Sequence, residues 1–466
     1  SGGNYNVVVG DEAGTAITTG DYNTFVGYAS GDATNTGLDN TAVGALALTS
    51  NTVGAYNVAI GQSALHNNVD GSNSVAIGRL ALYAQDPATA TDMYNTAVGY
   101  TAGTAVTTGV QNTLIGALAG DAITTGNYNL AIGHQALSAT TTADYNVAVG
   151  RSALFTNILG SRSTAIGISA LETQNYATAT DAYNVAVGYT AGVNVTTGLM
   201  NTLIGAEAGD ALTDADYNVA VGKEALGSDT LGSKSVAIGT SALYTQNFTS
   251  ATDAYNTAVG HNAGTNVTTG VANTLIGGLA GDALTDADYN TAVGYGALSS
   301  DTLGSNSVAI GTGALTTQNF TTATNAYNTA VGRLAGLSVT TGVQNVLIGG
   351  LAGDALTDAD YNVAIGIEAL SADTLGSGST AIGRNALSTQ NFTTATTTNN
   401  TAVGDRAGLA VTTGTDNTLI GSLAGAAVTD GNTNTAMGSY SLYTNQRGDR
   451  NTAIGHEALK VMNPSG

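Results

Sequence analysis

The stretch "YNTAVGYTAGTAVTTGVQNTLIGALAG", residues 94–120, contains one phrase twice. NTAVG at residues 95–99 returns as NTLIG at residues 112–116. The phrase occurs 26 times in the 466 residues, and each copy ends in a glycine. Twenty of the intervals between successive glycines are seventeen residues long, as from Gly99 to Gly116. The other five are twenty-one residues long, as from Gly78 to Gly99. Self-similarity at a fixed period is typical of repeat architectures, in which each repeat is one structural unit stacked on the next.

The phrase itself predicts a short β-strand that ends at a glycine corner. The residue before the motif glycine is Val or Ile in 25 of the 26 copies, and the residue before that is usually Ala. β-Branched residues and a glycine in every unit disfavour a helix, whereas a strand ending at a corner with positive φ accommodates both. Side chains alternate along a strand, so Val98 and Ala97 face opposite sides. A thin coil covers only one side, and the simplest cover for the other is a second copy of the chain.

We therefore predict an all-β parallel β-solenoid (β-roll) of about 26 coils, with seventeen residues per coil and five coils of twenty-one residues. We expect a single continuous domain over residues 1–466, and roughly 4.8 Å per coil predicts a rod on the order of 120 Å long. Asn opens 21 of the 26 phrases and Ser opens the other five. The Asn has two interpretations, an amide ladder between coils or a turn residue at a corner. Where Leu114 replaces the inner Ala, Gly120 follows, which predicts volume compensation inside a packed core.

The amino-acid composition disfavours several classes of binding partner. The net charge of −22 disfavours nucleic acid and anionic membrane surfaces, which both require basic patches. The chain has no Cys, which excludes disulfides and thiolate metal sites, and no run of 18 apolar residues, so we predict no membrane insertion. The chain begins and ends inside its own pattern, from which we expect a piece of a longer protein.

The repeats resemble those of known surface fibres. "NTAVGYTAGTAVTTGVQ" (residues 95–111) and "NTAIGHEAL" (residues 451–459) resemble the NTAIG-x-x-AL repeats of bacteriophage tail fibres. "SNSVAIGRLAL" (residues 72–82) is similar to the coils of trimeric autotransporter adhesin heads, which are trimeric parallel β-rolls with shorter coils. The resemblance covers essentially the whole chain and implies an elongated homotrimer that contacts a host.

From these patterns we expect a structural shaft of a viral tail fibre that positions host recognition, with side contacts to a host cell-surface glycan or protein. The alternative is a trimeric adhesin or extracellular filament subunit at the cell surface. We predict no enzymatic activity, because no catalytic motif or recurring pair of acidic residues is present, and no cofactor apart from the calcium considered next.

The stretch "GDALTDADYN", which occurs three times, is the strongest candidate for a metal site in the chain. Three carboxylates within seven residues could bind Ca²⁺ together with backbone carbonyls, although the spacing is not that of an EF-hand. The alternative is a solvated acidic corner that resists lateral aggregation. The candidate ligands are Asp210, Asp214, Asp216, Asp282, Asp286, Asp288, Asp354, Asp358 and Asp360.

The five long coils each carry four extra residues, and in the last four an aromatic residue stands at a matching point: Tyr176, Phe248, Phe320 and Phe392. Long loops on one edge of a solenoid are often its binding face, which makes these four residues candidate ligand contacts. In the alternative interpretation each aromatic ring folds back over its own coil. Tyr also precedes the opening Asn in 12 units. These tyrosines favour either carbohydrate stacking or shielding of the coil edge.

Overall fold

A computed structural model describes residues 3–461 of the chain. It is an all-β parallel β-solenoid of about 26 turns with seventeen residues in most turns, and it contains no helix within residues 3–461. The predicted fold class is confirmed. The structure divides into two compact units: unit 1 comprises Ser1–Ser233 with Thr249–Ala251, and unit 2 comprises Lys234–Phe248 with Thr252–Gly466.

Each coil contributes one three-residue strand, which ends at the residue before the motif glycine. Unit 1 contains β1 (Val7–Val9), β2 (Thr24–Val26), β3 (Thr41–Val43), β4 (Val58–Ile60), β6 (Val75–Ile77), β8 (Thr96–Val98), β9 (Thr113–Ile115), β10 (Leu130–Ile132), β11 (Val147–Val149), β13 (Thr164–Ile166), β15 (Val185–Val187), β16 (Thr202–Ile204) and β17 (Val219–Val221). Unit 2 contains β19 (Val236–Ile238), β21 (Thr257–Val259), β22 (Thr274–Ile276), β23 (Thr291–Val293), β25 (Val308–Ile310), β27 (Thr329–Val331), β28 (Val346–Ile348), β29 (Val363–Ile365), β31 (Thr380–Ile382), β33 (Thr401–Val403), β34 (Thr418–Ile420), β35 (Thr435–Met437) and β36 (Thr452–Ile454).

The long coils add pairs of two-residue strands, which the sequence did not predict. These strands are β5 (Gly71–Ser72), β7 (Thr91–Asp92), β12 (Gly160–Ser161), β14 (Thr180–Asp181), β18 (Gly232–Ser233), β20 (Thr252–Asp253), β24 (Gly304–Ser305), β26 (Thr324–Asn325), β30 (Gly376–Ser377) and β32 (Thr396–Thr397). Within unit 1, for example, β5 pairs in parallel with β7. The added pairing returns the chain to register after each insertion.

The pairing register of the strands is set by the repeated phrase and not by the number of residues between two phrases. β8 pairs in parallel with β9, and Ala97 lies opposite Leu114 of the next phrase. β6 pairs with β8 in the same way, although the coil that separates Ala76 from Ala97 is one of the long ones. The four extra residues are therefore looped out, and equivalent positions remain stacked above one another.

The motif glycines form the corners. All 26 have φ between 120° and 148°, a backbone region that side chains strongly disfavour. A Cβ added at Gly116 would lie 2.4 Å from the carbonyl oxygen of Gly133 in the next coil. The corner therefore requires glycine both for its backbone angle and for the close approach of the coils.

The core is built of small residues with leucines inserted between glycines. From β2 onward, the central residue of each three-residue strand points inward and is buried, as Ala97 and Leu114 are. A Cβ at Gly103 or Gly120 would lie 2.6 Å or 2.8 Å from a methyl group of Leu114. The predicted volume compensation is confirmed, and one leucine needs a glycine in its own coil and another in the preceding coil.

The Asn that opens most phrases is both a ladder and a corner residue. The Nδ2 of Asn129 donates to the carbonyl oxygen of Ala143 at 2.9 Å, which fixes the corner of its own coil. The Oδ1 of Asn129 accepts from the backbone N–H of Asn146 in the next coil at 3.0 Å. The two interpretations of this Asn thus describe the two ends of one side chain.

Candidate functional site

The most extensive candidate surface is a row of apolar side chains on the outer side of the strands. We define the Val/Ile face as the last residue of each three-residue strand, whose side chain points away from the buried central residue. Eleven of its members are between 36% and 41% exposed: Val43, Ile60, Ile77, Ile115, Ile166, Ile204, Ile238, Ile276, Ile310, Ile348 and Met437. Contiguous apolar surface of this kind commonly marks an interaction site. We expect the coil to cover one side of each strand and to leave the other side open within a single chain. The partial exposure of these outer side chains agrees with that expectation.

Tyrosines form a second row along one edge of the coils. The rings of Tyr128 and Tyr145, in successive coils, are stacked with centroids 4.9 Å apart and an angle of 3° between their planes. Tyr5 and Tyr22 stack in the same way at 5.0 Å. Where successive coils carry tyrosine, the ring faces cover one another and shield the coil edge. A tyrosine without such a neighbour, such as Tyr289, is 61% exposed and remains open to stacking on a sugar.

Arg162 takes the place of tyrosine in this row, as Arg450 does in a later coil. The guanidinium of Arg162 lies 4.9 Å from the ring centroid of Tyr145 and 5.9 Å from that of Tyr183. Its Nε also lies 3.0 Å from a carboxylate oxygen of Asp181, and this interaction raises the pKa of the guanidinium. The cation is thus held between two aromatic faces, an arrangement that residue spacing alone did not indicate.

The Asp triplets hold the stack together. In the first triplet, Asp214 accepts a hydrogen bond from the Thr197 hydroxyl at 2.5 Å, and Asp216 accepts one from the Leu199 N–H at 2.7 Å. The other two triplets repeat both bonds at equivalent positions, from Thr269 to Asp286, Val271 to Asp288, Thr341 to Asp358 and Val343 to Asp360. Two carboxylates of each triplet therefore bind the preceding coil.

The first Asp of each triplet has a different environment. Asp210, Asp282 and Asp354 are partly buried, and burial raises the pKa of each carboxyl group. Among residues 3–461, no group of three or more His, Cys, Asp or Glu side chains is placed to hold a metal ion. Calcium binding by the triplets stays a prediction, without converging carboxylates to support it.

The aromatic residues of the long coils point inward. Tyr176, Phe248, Phe320 and Phe392 are only 5–7% exposed. The Tyr176 hydroxyl donates to the Gly198 carbonyl oxygen at 2.8 Å, and burial raises its pKa. The position of a Cβ at Gly160 lies 2.7 Å from the Tyr176 ring, so the ring packs on a glycine of the preceding coil. This burial agrees with the interpretation in which the aromatic rings fold inward, and not with the one in which they are presented to a ligand.

Sequence reasoning missed a buried polar network in the long coils. The Nε2 of Gln174 donates to the Ser163 hydroxyl at 3.0 Å, and its Oε1 accepts from Asn184 Nδ2 at 2.9 Å. Ser163 stands where most phrases have Asn, and its shorter side chain leaves space for Gln174. The presence of Ser before every long coil was the signal that could have revealed this network.

In unit 2 the network includes a fully buried carboxylate. Asp301 accepts hydrogen bonds from the backbone N–H of Gly304 at 3.0 Å and of Phe320 at 3.2 Å. The Nε2 of Gln318 donates to its other oxygen at 2.5 Å. A buried charge that receives three hydrogen bonds is a structural element, and its partners leave it no free oxygen for a ligand.

Comparisons with known proteins do not assign the chain to a family. No protein-family model matches it, and no curated protein matches it. Between residues 3 and 461, no helix is long and apolar enough to cross a bilayer.

Proposed function

We propose that this chain is the structural shaft of a viral tail fibre, assembled from three copies that cover one another's Val/Ile faces. The observation that carries the proposal is the row of half-exposed isoleucines and valines that recurs in both units. A repeat that leaves one side of its sheet apolar in every coil supports assembly with copies of the same repeat, since the identical spacing matches coil to coil.

The chemistry of the remaining surface supports a mechanical role. Polar groups that could have been catalytic are engaged between coils, as Asp214 and Asp216 are. Acidic residues outnumber basic ones by 33 to 11, which favours a soluble surface that repels its neighbours outside the Val/Ile face. In this proposal the protein lies outside the cell as part of a virion and holds a recognition element towards its host. Contacts between the tyrosine row and host glycans or proteins are part of the proposal.

A cell-surface adhesin or extracellular filament subunit is the second candidate. It is favoured by the SVAIG phrase at residues 74–78, which the adhesin-like coils share. Antibodies against the chain distinguish the two candidates. Decoration of virion tails supports the fibre, whereas decoration of cell envelopes in the absence of virus supports the adhesin.

Mass in solution tests the assembly directly. Multi-angle light scattering of the purified chain should give three times the 46.0 kDa chain mass. The triple variant Ile115→Lys, Ile204→Lys and Ile276→Lys should reduce the mass to that of one chain, because three charges would be buried in the shared interface.

A matched control adds the same charge to the same three coils. The variant Gln111→Lys, Met200→Lys and Ala272→Lys changes residues four positions earlier, where Lys234 stands naturally in another coil. This control should remain trimeric. A single-chain mass for the parent protein, or equal dissociation of both triple variants, would contradict the proposed assembly.

A further inference from the structure

A notch interrupts the surface of unit 2. The position two residues after the motif glycine is Gly296 in one coil and Gly313 in the next, whereas the coils on either side carry Leu279 and Leu334 there. The loss of two successive side chains leaves a cavity of about 410 Å³. This volume lies within the range of small-ligand sites, roughly 300–1,000 Å³.

The walls of the notch are mostly apolar. Leu279 and Leu334 bound it at its two ends, and Leu337 and Tyr295 also line it. A Cβ at Gly296 would have only the Ser299 hydroxyl within 4 Å, at 3.8 Å, so the space above this glycine is open. An aliphatic chain of a few carbons therefore has apolar surface to cover on entering the notch.

One carboxylate belongs to the wall of the notch. Asp282 lines the notch and is partly buried, and its Oδ1 lies beneath the surface without a hydrogen-bond partner among residues 3–461. Hydroxyl groups of Ser299 and Thr316 line the same cavity. A partly buried carboxylate on an apolar wall is stabilised by a ligand that brings a positive charge beside it.

The equivalent position four coils later shows what distinguishes the notch. Asp354 has the same buried, unpaired Oδ1 as Asp282. There, however, Glu368 and Asn385 replace the two glycines, and their side chains are joined by a hydrogen bond of 2.7 Å. The fold thus places a carboxylate in both periods, but only around Asp282 do two glycines leave space beside it.

The charges around the notch indicate that its ligand is a cation. None of the ten residues that line the notch is Lys or Arg, and the chain as a whole carries a net charge of −22. We propose that the notch binds a primary alkylammonium group, and specifically the lysine side chain of a partner protein. The ammonium pairs with the Asp282 carboxylate and donates to neighbouring hydroxyl oxygens, while the methylene groups of the lysine pack between the leucines. This proposal is independent of the fibre function, because it concerns one site within a single chain.

Methyl NMR of the leucine-labelled protein tests the ligand chemistry. Titration with n-pentylammonium should shift the Leu334 and Leu337 methyl signals saturably, and n-pentanol should bind at least about tenfold more weakly because it cannot pair with the carboxylate. Pentanoate should produce no shift. Equal binding of the ammonium and the alcohol, or no saturable shift at all, would overturn the proposal.

Nα-acetyl-lysine methylamide is the second probe, because it presents the ammonium as a protein does. It should shift the same methyl groups. Binding of n-pentylammonium without binding of this lysine derivative would overturn the assignment to a protein partner and would leave a site for free amines.

Three variants separate the site from the fold. Gly296→Leu should abolish the shifts by filling the notch, and Leu279 and Leu334 adopt the same backbone angle at this position, with φ of 59° and 57°. Asp282→Asn should weaken n-pentylammonium binding by roughly tenfold through loss of the charge. Asp354→Asn, the matched control without a notch, should bind as the parent does. Equal affinity of the Asp282→Asn and Asp354→Asn variants would refute the role of the notch carboxylate.

Discussion

The side chain of Asn129 provides a quantitative test of how the coils are joined. Its Nδ2 donates to the carbonyl oxygen of Ala143 at 2.9 Å, and its Oδ1 accepts from the N–H of Asn146 at 3.0 Å. All three residues are buried. The substitution Asn129→Ala leaves one buried carbonyl and one buried N–H without partners. At about 1–3 kcal/mol for each group, the local stability should fall by about 2–6 kcal/mol.

Native-state hydrogen exchange is the appropriate assay, because stacked repeats open locally and a single melting temperature averages over many coils. A loss of about 3 kcal/mol accelerates exchange by roughly a hundredfold. We expect this acceleration at the amide of Asn146 and at the adjacent strand amides of β10 and β11. Gln111→Ala is the control, because Gln111 is exposed and Ala272 occupies the equivalent position of another coil. Exchange in Asn129→Ala that matches the control would refute the structural role assigned to this Asn.

Two further predictions concern packing and ionisation. Leu114→Ala should cost about 2–5 kcal/mol of local stability by opening a cavity. Adding Gly120→Leu should restore part of the loss, because Leu82 has the same left-handed backbone with φ of 48°. Native-state hydrogen exchange that finds the double variant less stable than the single one would contradict the compensation. Burial raises the pKa of Asp282 above 3.8, so its charge destabilises the fold at neutral pH, and the penalty is relieved as the pH falls through the folded pKa towards 3.8. Asp282→Asn should therefore raise the local stability measured by native-state hydrogen exchange at pH 7 and lose this advantage as the pH approaches 3.8. An advantage independent of pH would exclude the carboxylate as its cause.

The coil was predictable because its determinants recur in every phrase. A β-branched residue followed by glycine is a local signal, and 26 repetitions fix which residues lie above one another. The relation between Leu114 and Gly120 was also visible, since both positions vary together. Such signals can be read from a single sequence because every coil packs against its neighbours in the same way.

Features that depend on a neighbouring coil were less predictable. The inward turn of Tyr176 depends on the space above Gly160, which belongs to another coil and carries no mark in the insertion itself. The notch likewise arises because Gly296 and Gly313 are stacked, although a whole coil of chain separates them in the sequence. Both features become visible only when equivalent positions of successive coils are compared as columns.

Distances between spin labels test most directly the claim that each glycine-marked phrase is one coil of a parallel stack. The chain has no Cys, so Thr36→Cys can be paired in turn with Thr108→Cys, Thr125→Cys and Thr142→Cys, all at exposed, equivalent positions of unit 1. Labelled chains are diluted with unlabelled protein to suppress distances between copies. The pairs are four, five and six phrases apart, so the separations should be about 19, 24 and 29 Å, increasing by roughly 4.8 Å per phrase even though the first interval contains one of the long phrases. Separations that do not increase by about this step from one phrase to the next would contradict the stacked-coil account.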